Sequence, residues 1–389
     1  MIYGEEYGER DAKAILIEGR RLHGILDVSG LFDSIRKTAD AQEGLRMICV
    51  KKENGYFLEL REALDESDLF YTDAIKNEDD IRKDVFASVA SSMELDKSLF
   101  KVRLYTLENN VHILAVIMHH LIADNITLSV VINEIFSRYD GNVPTASAPY
   151  SQFLIEEAEF AASEEGRKQI KFWENEMNGY IPPISVGGEN YDVIAATSFE
   201  VSAKLLVKSS SALKVSPFML FLAASHIALG QIQGTDDTVI GLAYANRFDK
   251  KYRNTCGYLA HMVQNRIRGV DRTDAKAFVR AAADKMSENI RFQRLSHYAR
   301  GSRVNIGMQG DPMHITRELF NGQPVERVPF DFDRNVDYLM INVIPDVQKY
   351  TVHLICDPSV YGFDYTKRLI SAMKDSLSEI IGSEEKIYG

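Results

Sequence analysis

One stretch of the chain, VHILAVIMHHLIADN at residues 111–125, decides how the rest of the sequence is interpreted. Val111 to Met118 is apolar at almost every position, which is typical of a strand covered on both faces of a sheet. The run leads directly into His119 and His120, and Ile126 to Tyr139 then carries apolar residues at helical spacing. The stretch therefore predicts a buried strand, a short turn and a helix, with two histidines where the strand ends.

These two adjacent histidines are the clearest candidates for catalytic residues in the sequence. A free imidazole titrates near neutral pH and can take or give a proton in an enzyme site. Because successive strand residues point to opposite faces, we expect His119 to be a core residue and His120 to face a cleft. Asp124, four residues after His120, is expected to orient the segment or to pair with a basic side chain. A zinc site is not favoured, because adjacent histidines cannot easily bind one ion together and no helical His-Glu-x-x-His spacing or cysteine pair completes a site.

The composition is that of an ordinary globular protein with an acidic balance. The 389 residues include 45 Lys and Arg against 56 Asp and Glu, and the resulting net charge of -11 argues against a nucleic-acid-binding protein. The three cysteines are too scattered for a disulfide framework and fit a reducing cytoplasm. No stretch approaches the roughly 18 apolar residues of a membrane helix, and the N-terminus has the pattern of neither a signal peptide nor a transit peptide. We therefore expect a cytoplasmic protein that binds neither membranes nor nucleic acids.

Strand and helix patterns alternate along both halves of the chain, which predicts an α/β (α+β) fold in two lobes. Asn54-Gly55, between two strand-like runs, predicts a hairpin. A loop-like stretch at 141–149 and two polar helices at 151–162 and 164–177 indicate a boundary. We predict an N-terminal lobe at 1–150, linker helices and a loop at 151–190, and a C-terminal lobe at 191–389.

The order of these features resembles that of a known family. HHLIADN at 119–125 resembles the His-His-x-x-x-Asp-Gly motif of the condensation domains of nonribosomal peptide synthetases, whose superfamily includes chloramphenicol acetyltransferase and carrier-dependent acyltransferases. Upstream, LHGILDVSGLFDSIRKTADAQEGLR at 22–46 is similar to the family segment that ends in Arg-His-Glu-x-Leu-Arg. Downstream, IGLAYANR at 240–247 and CGYLAHMVQNRIR at 256–268 are similar to the segments that contain Ala-Asn-Arg and Gly-Tyr-Phe-Val-Asn-Thr.

The sequence also departs from the family pattern. Asn125 replaces the glycine of the motif, and since asparagine tolerates a left-handed turn, we expect the turn geometry to survive. Ala41 and Gln42 replace the upstream Arg-His pair, and His261 stands at the family asparagine. Of the His-Gln-x-x-Pro-Phe-Glu segment only Gln293 is kept, and the N-terminal Ser-x-x-Gln helix is absent.

The resemblance implies two chloramphenicol acetyltransferase-like lobes that form a V-shaped pseudo-dimer, with the active site in a tunnel between them. The candidate catalytic residues are the motif members His120, His119 and Asp124, and no metal is expected. His120 would either take the proton of the nucleophile or hold the nucleophile and stabilise the tetrahedral intermediate. Asp124 is implied to form a structural ion pair, for which Arg46 is the first expected partner and Arg247 the second.

Further residues are expected to support the active site. Asn125 is interpreted as a helix cap whose backbone N–H can also help to bind a developing oxyanion. The Thr127 hydroxyl is either directed to the same place or belongs to an ordinary first-turn residue. Arg247, with Asn246, is expected to shape a strand exit that crosses between the lobes. His261 is expected near the tunnel, although a packing or surface role fits it equally well.

The implied activity belongs to nonribosomal peptide or related secondary-metabolite biosynthesis. An acyltransferase of this kind joins a carrier-protein-bound acyl or aminoacyl thioester to an amine or alcohol acceptor, and the product is an amide or ester. The family has no cofactor of its own, since the phosphopantetheine arm arrives with the acyl or peptidyl carrier protein, and the acceptor is a small molecule or is itself carrier-bound. We expect partners supplied in trans, or an excised module.

Two alternatives remain open from the sequence. One is another outcome on the same fold, either epimerisation of a tethered residue or O-acyl transfer from coenzyme A. The other is a non-catalytic domain that docks carrier proteins or recruits a tailoring enzyme.

Overall fold

The computed structural model describes residues 15–74, 77–182, 195–298, 302–308, 319–328, 330, 339–356, 361–382 and 387–388. These residues form two compact units. The first contains the described residues of 1–158, 247–260 and 312–332, and the second contains those of 159–246, 261–311 and 333–389. Helices and strands occur in both units, which confirms the predicted mixed α/β class. The lobe boundaries at 150 and 191 remain a prediction, and residues 183–190 of the predicted linker lie outside the described residues.

The strands are β1 (Ile15–His23), β2 (Met47–Lys52), β3 (Gly55–Leu60), β4 (Phe70–Ala74), β5 (Phe100–Leu107), β6 (Val111–His119), β7 (Ala195–Ser202), β8 (Thr238–Tyr244), β9 (His261–Ile267), β10 (Val304–Met308), β11 (Leu319–Phe320), β12 (Gln323–Pro324), β13 (Glu326–Val328), β14 (Leu339–Pro345), β15 (Lys349–Cys356) and β16 (Ile387–Tyr388). The α-helices are α1 (Val28–Ala41), α2 (Glu66–Leu69), α3 (Glu78–Ser92), α4 (Asn125–Tyr139), α5 (Tyr150–Ala162), α6 (Glu164–Met177), α7 (Ala203–Leu213), α8 (Pro217–Gln233), α9 (Ala275–Ile290) and α10 (Phe363–Ile381). The two polar helices predicted at 151–162 and 164–177 are confirmed as α5 and α6.

The first unit is built on a five-stranded sheet with β6 at its centre. The strand order is β13-β1-β6-β5-β4, and β6 runs antiparallel to both of its neighbours. Leu114 and Val116 pack in the same apolar cluster as residues of α1 and α4, whereas Ile113 and Ile117 pack in a second cluster on the other face. The predicted strand with two covered faces is therefore confirmed, and this double burial explains why its sequence is a continuous apolar run.

The predicted hairpin is confirmed as a separate two-stranded sheet in the first unit. β2 and β3 pair antiparallel from Met47 opposite Leu60 to Lys52 opposite Gly55. The two-residue loop is Glu53-Asn54, one position earlier than the Asn-Gly pair indicated. Gly55 has a φ of 129°, a left-handed conformation that glycine adopts without a steric penalty.

The second unit is built on a seven-stranded mixed sheet in the order β16-β7-β15-β14-β10-β8-β9. Its core is organised around α8, in which every residue from Met219 to Gly230 is buried. Pro217 is the first residue of this helix, where its fixed φ suits the helix and its missing N–H costs nothing. The apolar residues of α8 pack in one cluster with those of α9 and α10.

None of the described helices is by itself long and apolar enough to cross a membrane. One adjacent pair, α7 and α8, reaches the required length and apolar composition only when the two are taken together, and that pair is bent by 88° at its break.

A fully buried histidine lies within α8. His226 Nδ1 is 2.8 Å from Thr238 Oγ1, and His226 Nε2 is 2.9 Å from Asn265 Oδ1. Burial lowers the pKa of His226 to about 3, against the weaker opposing effect of the bond to Asn265. The folded chain therefore strongly favours the neutral ring, with Nε2–H donating to Asn265 and Nδ1 accepting from Thr238.

We predict that His226 makes the fold less stable in acid. Because its pKa is lower in the folded chain than in the unfolded chain, its contribution to stability is complete above roughly pH 6.5 and is lost as the pH falls towards about 3. Within that window one such group accounts for about 1.4 kcal/mol per pH unit. The free energy of unfolding of His226→Gln, measured in urea at several pH values, should therefore fall less steeply in acid than that of the parent. Equal slopes for the two proteins would contradict this assignment.

Candidate active site

The end of β6 is held by backbone bonds and by the ring of His119. The N–H of His119 donates to Leu99 O at 2.9 Å, and the N–H of Ile122 donates back to His119 O at 3.0 Å. The N–H of Leu121 donates to His119 Nδ1 at 3.1 Å, which places the ring proton on Nε2. Burial, with a smaller contribution from the neighbouring His120, lowers the pKa of His119 to about 4. His119 is therefore a neutral core residue that shapes the turn, as strand alternation predicts.

His120 is the first residue beyond the strand and is partly buried. Its ring meets the ring of Tyr258 edge to face, with 5.2 Å between the centroids and 83° between the planes. Tyr258 belongs to residues 247–260, the segment between β8 and β9 that packs in the first unit. The sequence correctly separated the environments of the two histidines, but it did not predict the aromatic neighbour.

Asp124 accepts five hydrogen bonds in the first unit. Arg247 donates from Nη1 to Oδ2 at 2.7 Å and from Nη2 to Oδ1 at 3.0 Å. The backbone N–H of Thr127 donates to Oδ1 at 2.9 Å. The N–H groups of Leu259 and Ala260 donate to Oδ2 at 3.2 and 3.0 Å. Both side chains of the Asp124–Arg247 ion pair are almost completely buried, with exposures of 4% and 2%.

The surroundings of Asp124 keep it ionised and unsuited to act as a base. Burial alone would raise the pKa of this carboxyl, but the Arg247 charge and the hydrogen bonds from Arg247, Thr127 and Ala260 outweigh burial and lower it. Because its five donors occupy the acceptor sites of the carboxylate, taking up a proton would require a bond to be broken. The geometry gives Asp124 a structural role, as the resemblance implied.

The first expected partner of Asp124, Arg46, was wrong, and the second, Arg247, is correct. Arg46 lies just beyond the end of α1, and its guanidinium donates to backbone carbonyls. Nε binds Ala39 O at 3.2 Å, and Nη1 binds Arg61 O at 2.5 Å and Glu62 O at 2.9 Å. Arg46 thus satisfies carbonyl groups at the C-terminus of α1 and ties that helix to the chain after β3.

One expectation for the turn after His120 was also wrong. Asn125 is not the helix cap but the first residue of α4, because the carboxylate of Asp124 reaches the N–H of Thr127 and caps the helix one position earlier. Asn125 is not among the described residues with positive φ, so the turn does not require a left-handed residue there.

The Thr127 hydroxyl is engaged within the first unit and is not available to a reacting oxygen. Thr127 Oγ1 donates to Gly257 O at 2.7 Å. The same oxygen accepts from the N–H of Gly257 at 3.2 Å and from Arg247 Nη2 at 3.1 Å. With its proton and lone pairs used, Thr127 fastens residues 247–260 to the start of α4.

Gln42, which replaces the family histidine, is a second attachment point for residues 247–260. Its Nε2 donates to Glu134 Oε1 at 2.6 Å and to Asn254 O at 3.0 Å, and its Oε1 accepts from the N–H of Cys256 at 3.0 Å. Burial raises the pKa of Glu134. The sequence showed that Gln42 replaces a family histidine, but it did not predict this attachment role. The signal that it offered was the match of Gln42 to that family position.

Asn246 and His261 flank this segment and belong to the second unit. Asn246 has a φ of 49° and is buried, so it supplies the left-handed residue immediately before the segment. The expectation that Asn246 and Arg247 shape a strand exit that crosses between the lobes remains a prediction. His261 is a buried residue at the start of β9, opposite Tyr244. A supporting role for His261 in catalysis remains a prediction.

The described residues hold no metal-binding cluster, and the cleft described below lies away from the motif in sequence. Among those residues, no group of three or more His, Cys, Asp and Glu side chains could hold a metal ion. A shallow cleft of about 390 Å³ lies on the first unit, away from the motif residues in sequence. Its lining residues are Val28, Ser29, Phe32, Glu66, Ser67 and Phe70.

Comparison with known proteins agrees with this geometry. Residues 20–299 match the condensation domain family. The chain is 30% identical over 159 residues to tyrocidine synthase 3 of Brevibacillus parabrevis, a match that covers 38% of this chain and 2% of that protein. The chain therefore belongs to the condensation domain family, and it spans a small part of this much longer relative.

The fold comparison gives the same result. The condensation domain from Monacolin K polyketide synthase MokA superposes with a TM-score of 0.79 at 14% identity, over 96% of this chain and 94% of that one. The X-domain in its complex with OxyB, from teicoplanin biosynthesis, superposes with a TM-score of 0.80 at 16% identity, over 96% of this chain and 89% of that one. The predicted condensation-domain fold is confirmed.

We predict that Asp124 and Arg247 stabilise the fold as a unit. Removing one member leaves the other charge buried without its partner, which costs about 3–5 kcal/mol. Asp124→Ala and Arg247→Met should each lower the free energy of unfolding by this order, and the double variant should lose much less than their sum. Urea unfolding of the four proteins measures the coupling.

Asp33→Asn is the matched control for this cycle, because Asp33 pairs with Arg36 and Lys37 on the exposed face of α1. Its effect should stay below about 1 kcal/mol. Parent-like unfolding of Asp124→Ala, or coupling of Asp124 to Arg46 in place of Arg247, would show that the pair is misassigned.

We predict that Gly44 is required for the close approach of residues 247–260. A Cβ at Gly44 would lie 2.1 Å from Cys256 O and 3.1 Å from Gly257 N, both backbone atoms that cannot rotate away. Gly44→Ala should destabilise the protein by about 1–3 kcal/mol. The control is Gly307→Ala, since a Cβ there meets nothing within 4 Å and should change stability by less than about 0.5 kcal/mol. Equal melting temperatures for the two variants would refute the close approach.

Proposed function

We propose that this chain is a condensation-type acyltransferase in which His120 acts on the nucleophile. The donor is an acyl or aminoacyl group held as a thioester on the phosphopantetheine arm of a carrier protein, and the acceptor is an amine or an alcohol. Family membership supports the reaction class. The observation that carries the assignment to His120 is the environment of the motif. His119 is a neutral core residue and Asp124 is saturated with donors, whereas His120 lies beyond the strand and is only partly buried.

The proposed reaction requires one proton acceptor near the nucleophile. The acceptor nitrogen or oxygen attacks the thioester carbonyl carbon, so that a C–N or C–O bond forms and the C–S bond breaks. The proton of the nucleophile passes to the imidazole of His120 and then to the departing thiolate. The products are the amide or ester and the free thiol of the arm. When the nucleophile is already a free amine, holding it beside the carbonyl supplies much of the rate.

A second candidate function is a non-catalytic docking domain. It is supported by the fold likeness to an X-domain whose complex with OxyB has been described, and by the near absence of the His-Gln-x-x-Pro-Phe-Glu segment. Under this alternative the chain would bind a carrier protein or a tailoring enzyme without transferring an acyl group.

We predict that His120→Ala is folded and inactive. The probe is a phosphopantetheinylated carrier protein loaded in turn with a panel of aminoacyl and fatty-acyl groups, mixed with amine and alcohol acceptors. Intact-mass spectrometry of the carrier measures acyl loss, and chromatography with mass detection measures the amide or ester. The rate should fall at least about 100-fold, as is usual when a general base is removed. The melting temperature should stay near that of the parent.

His353→Ala is the matched control, because His353 is a partly buried histidine on β15 in the second unit. It should transfer acyl groups at the parental rate. Full activity of His120→Ala would refute the assignment. A parent that binds the carrier but transfers no acyl group from any donor would favour the docking domain.

A further inference from the structure

We propose that Tyr258 is a positioning residue that holds the imidazole of His120 in the orientation needed for proton transfer. The catalytic meaning of this role rests on the proposed function, but the contact itself does not. Neither the motif nor the resemblance assigns a role to Tyr258.

The orientation of the His120 ring depends on the groups that surround it. The sheet ladder ends at His119, and the bonds that shape the turn are made by the backbone of His119 and Ile122 and by the His119 ring. These bonds fix where the His120 backbone lies. Its ring is in edge-to-face contact with Tyr258, a geometry that aromatic pairs favour.

The backbone around Tyr258 is fixed on both sides. Before it, both the N–H and the carbonyl of Gly257 bind Thr127 Oγ1. At Tyr258 itself, the carbonyl accepts from the Tyr150 hydroxyl at 3.2 Å. After it, the N–H groups of the next two residues donate to the carboxylate of Asp124. These bonds fix the backbone at Tyr258 and therefore the direction in which its side chain leaves the chain.

Gly257, the residue before Tyr258, packs closely against Tyr150. A Cβ at Gly257 would lie 2.3 Å from the ring of Tyr150, so the segment packs against Tyr150 with no room between them. Tyr150 is itself buried, with an exposure of 2%. Residues 257–260, which include Tyr258, therefore have little freedom to move.

These contacts form a closed path through the motif. His120 and Asp124 are four residues apart in sequence. They are also connected through space, because Asp124 binds the backbone of residues 257–260 and the ring of Tyr258 in that segment contacts His120. Through this path the structural carboxylate of Asp124 is connected to the ring that contacts His120. Misplacing a catalytic group by about 1 Å can cost roughly 100-fold in rate, so a fixed ring direction has a direct kinetic consequence.

The test compares Tyr258→Leu with Tyr258→Phe. Leucine removes the ring and phenylalanine keeps it, while the backbone bonds of residues 257–260 are available to both. We expect Tyr258→Leu to lower acyl transfer from the loaded carrier protein roughly 10- to 100-fold and Tyr258→Phe to retain at least about half of the parental rate. The ring-proton resonances of His120, assigned by their loss in His120→Ala, should shift in Tyr258→Leu and stay near their parental positions in Tyr258→Phe.

Phe248→Leu is the matched control, because Phe248 is an aromatic residue of the same segment and is 63% exposed. It should change neither the rate nor the His120 resonances. Unshifted His120 resonances in Tyr258→Leu would overturn the proposal, as would an unchanged rate or an equal loss of rate in Tyr258→Phe. A parent without acyl transfer would refute the proposed function instead, and the resonance comparison would still decide whether the Tyr258 ring is in contact with that of His120.

Discussion

The site in the first unit depends on one buried carboxylate. Asp124 caps α4 through the N–H of Thr127, pairs with Arg247 and receives the backbone N–H groups of Leu259 and Ala260. A buried charge is costly unless both its partner and its hydrogen bonds are supplied, and here the donors come from the start of α4 and from residues 247–260. The carboxylate therefore specifies how the turn after β6, the start of α4 and residues 257–260 fit together. A shift of any one of them would leave a buried charge or N–H without its partner.

Much of this unit could be predicted from sequence because local patterns determine it. The run from 111 to 118 is apolar at nearly every position since both faces of β6 are covered, and this double burial follows from the sequence without any knowledge of the neighbouring strands. The separation of His119 from His120 follows from strand alternation alone. The hairpin at β2 and β3 follows from turn chemistry, with an error of one residue in the loop.

What sequence reasoning missed was determined by contacts between distant parts of the chain. Arg46 and Arg247 are both plausible partners for a buried aspartate, and the choice depends on where residues 247–260 pack, which no local pattern encodes. The error at Asn125 has a related cause. One carboxylate with two oxygens both caps α4 and pairs with Arg247, so Asn125 is not needed as the cap. Tyr150 and Tyr258 carried no signal of their role because their importance lies in what they touch.

The two adjacent histidines show how one fold separates structure from chemistry. His119 is desolvated and uses Nδ1 to accept a backbone bond, so its neutral form is strongly favoured at neutral pH. The Thr127 hydroxyl and the Asp124 carboxylate are fully used in attaching residues 247–260 to α4. Three polar side chains of the motif region are thus committed to holding the chain in place, and under the proposed function proton transfer falls to His120. A site that assigns its proton chemistry to one ring gains most from fixing the direction of that ring, and the many bonds around residues 257–260 place Tyr258 where it can do so.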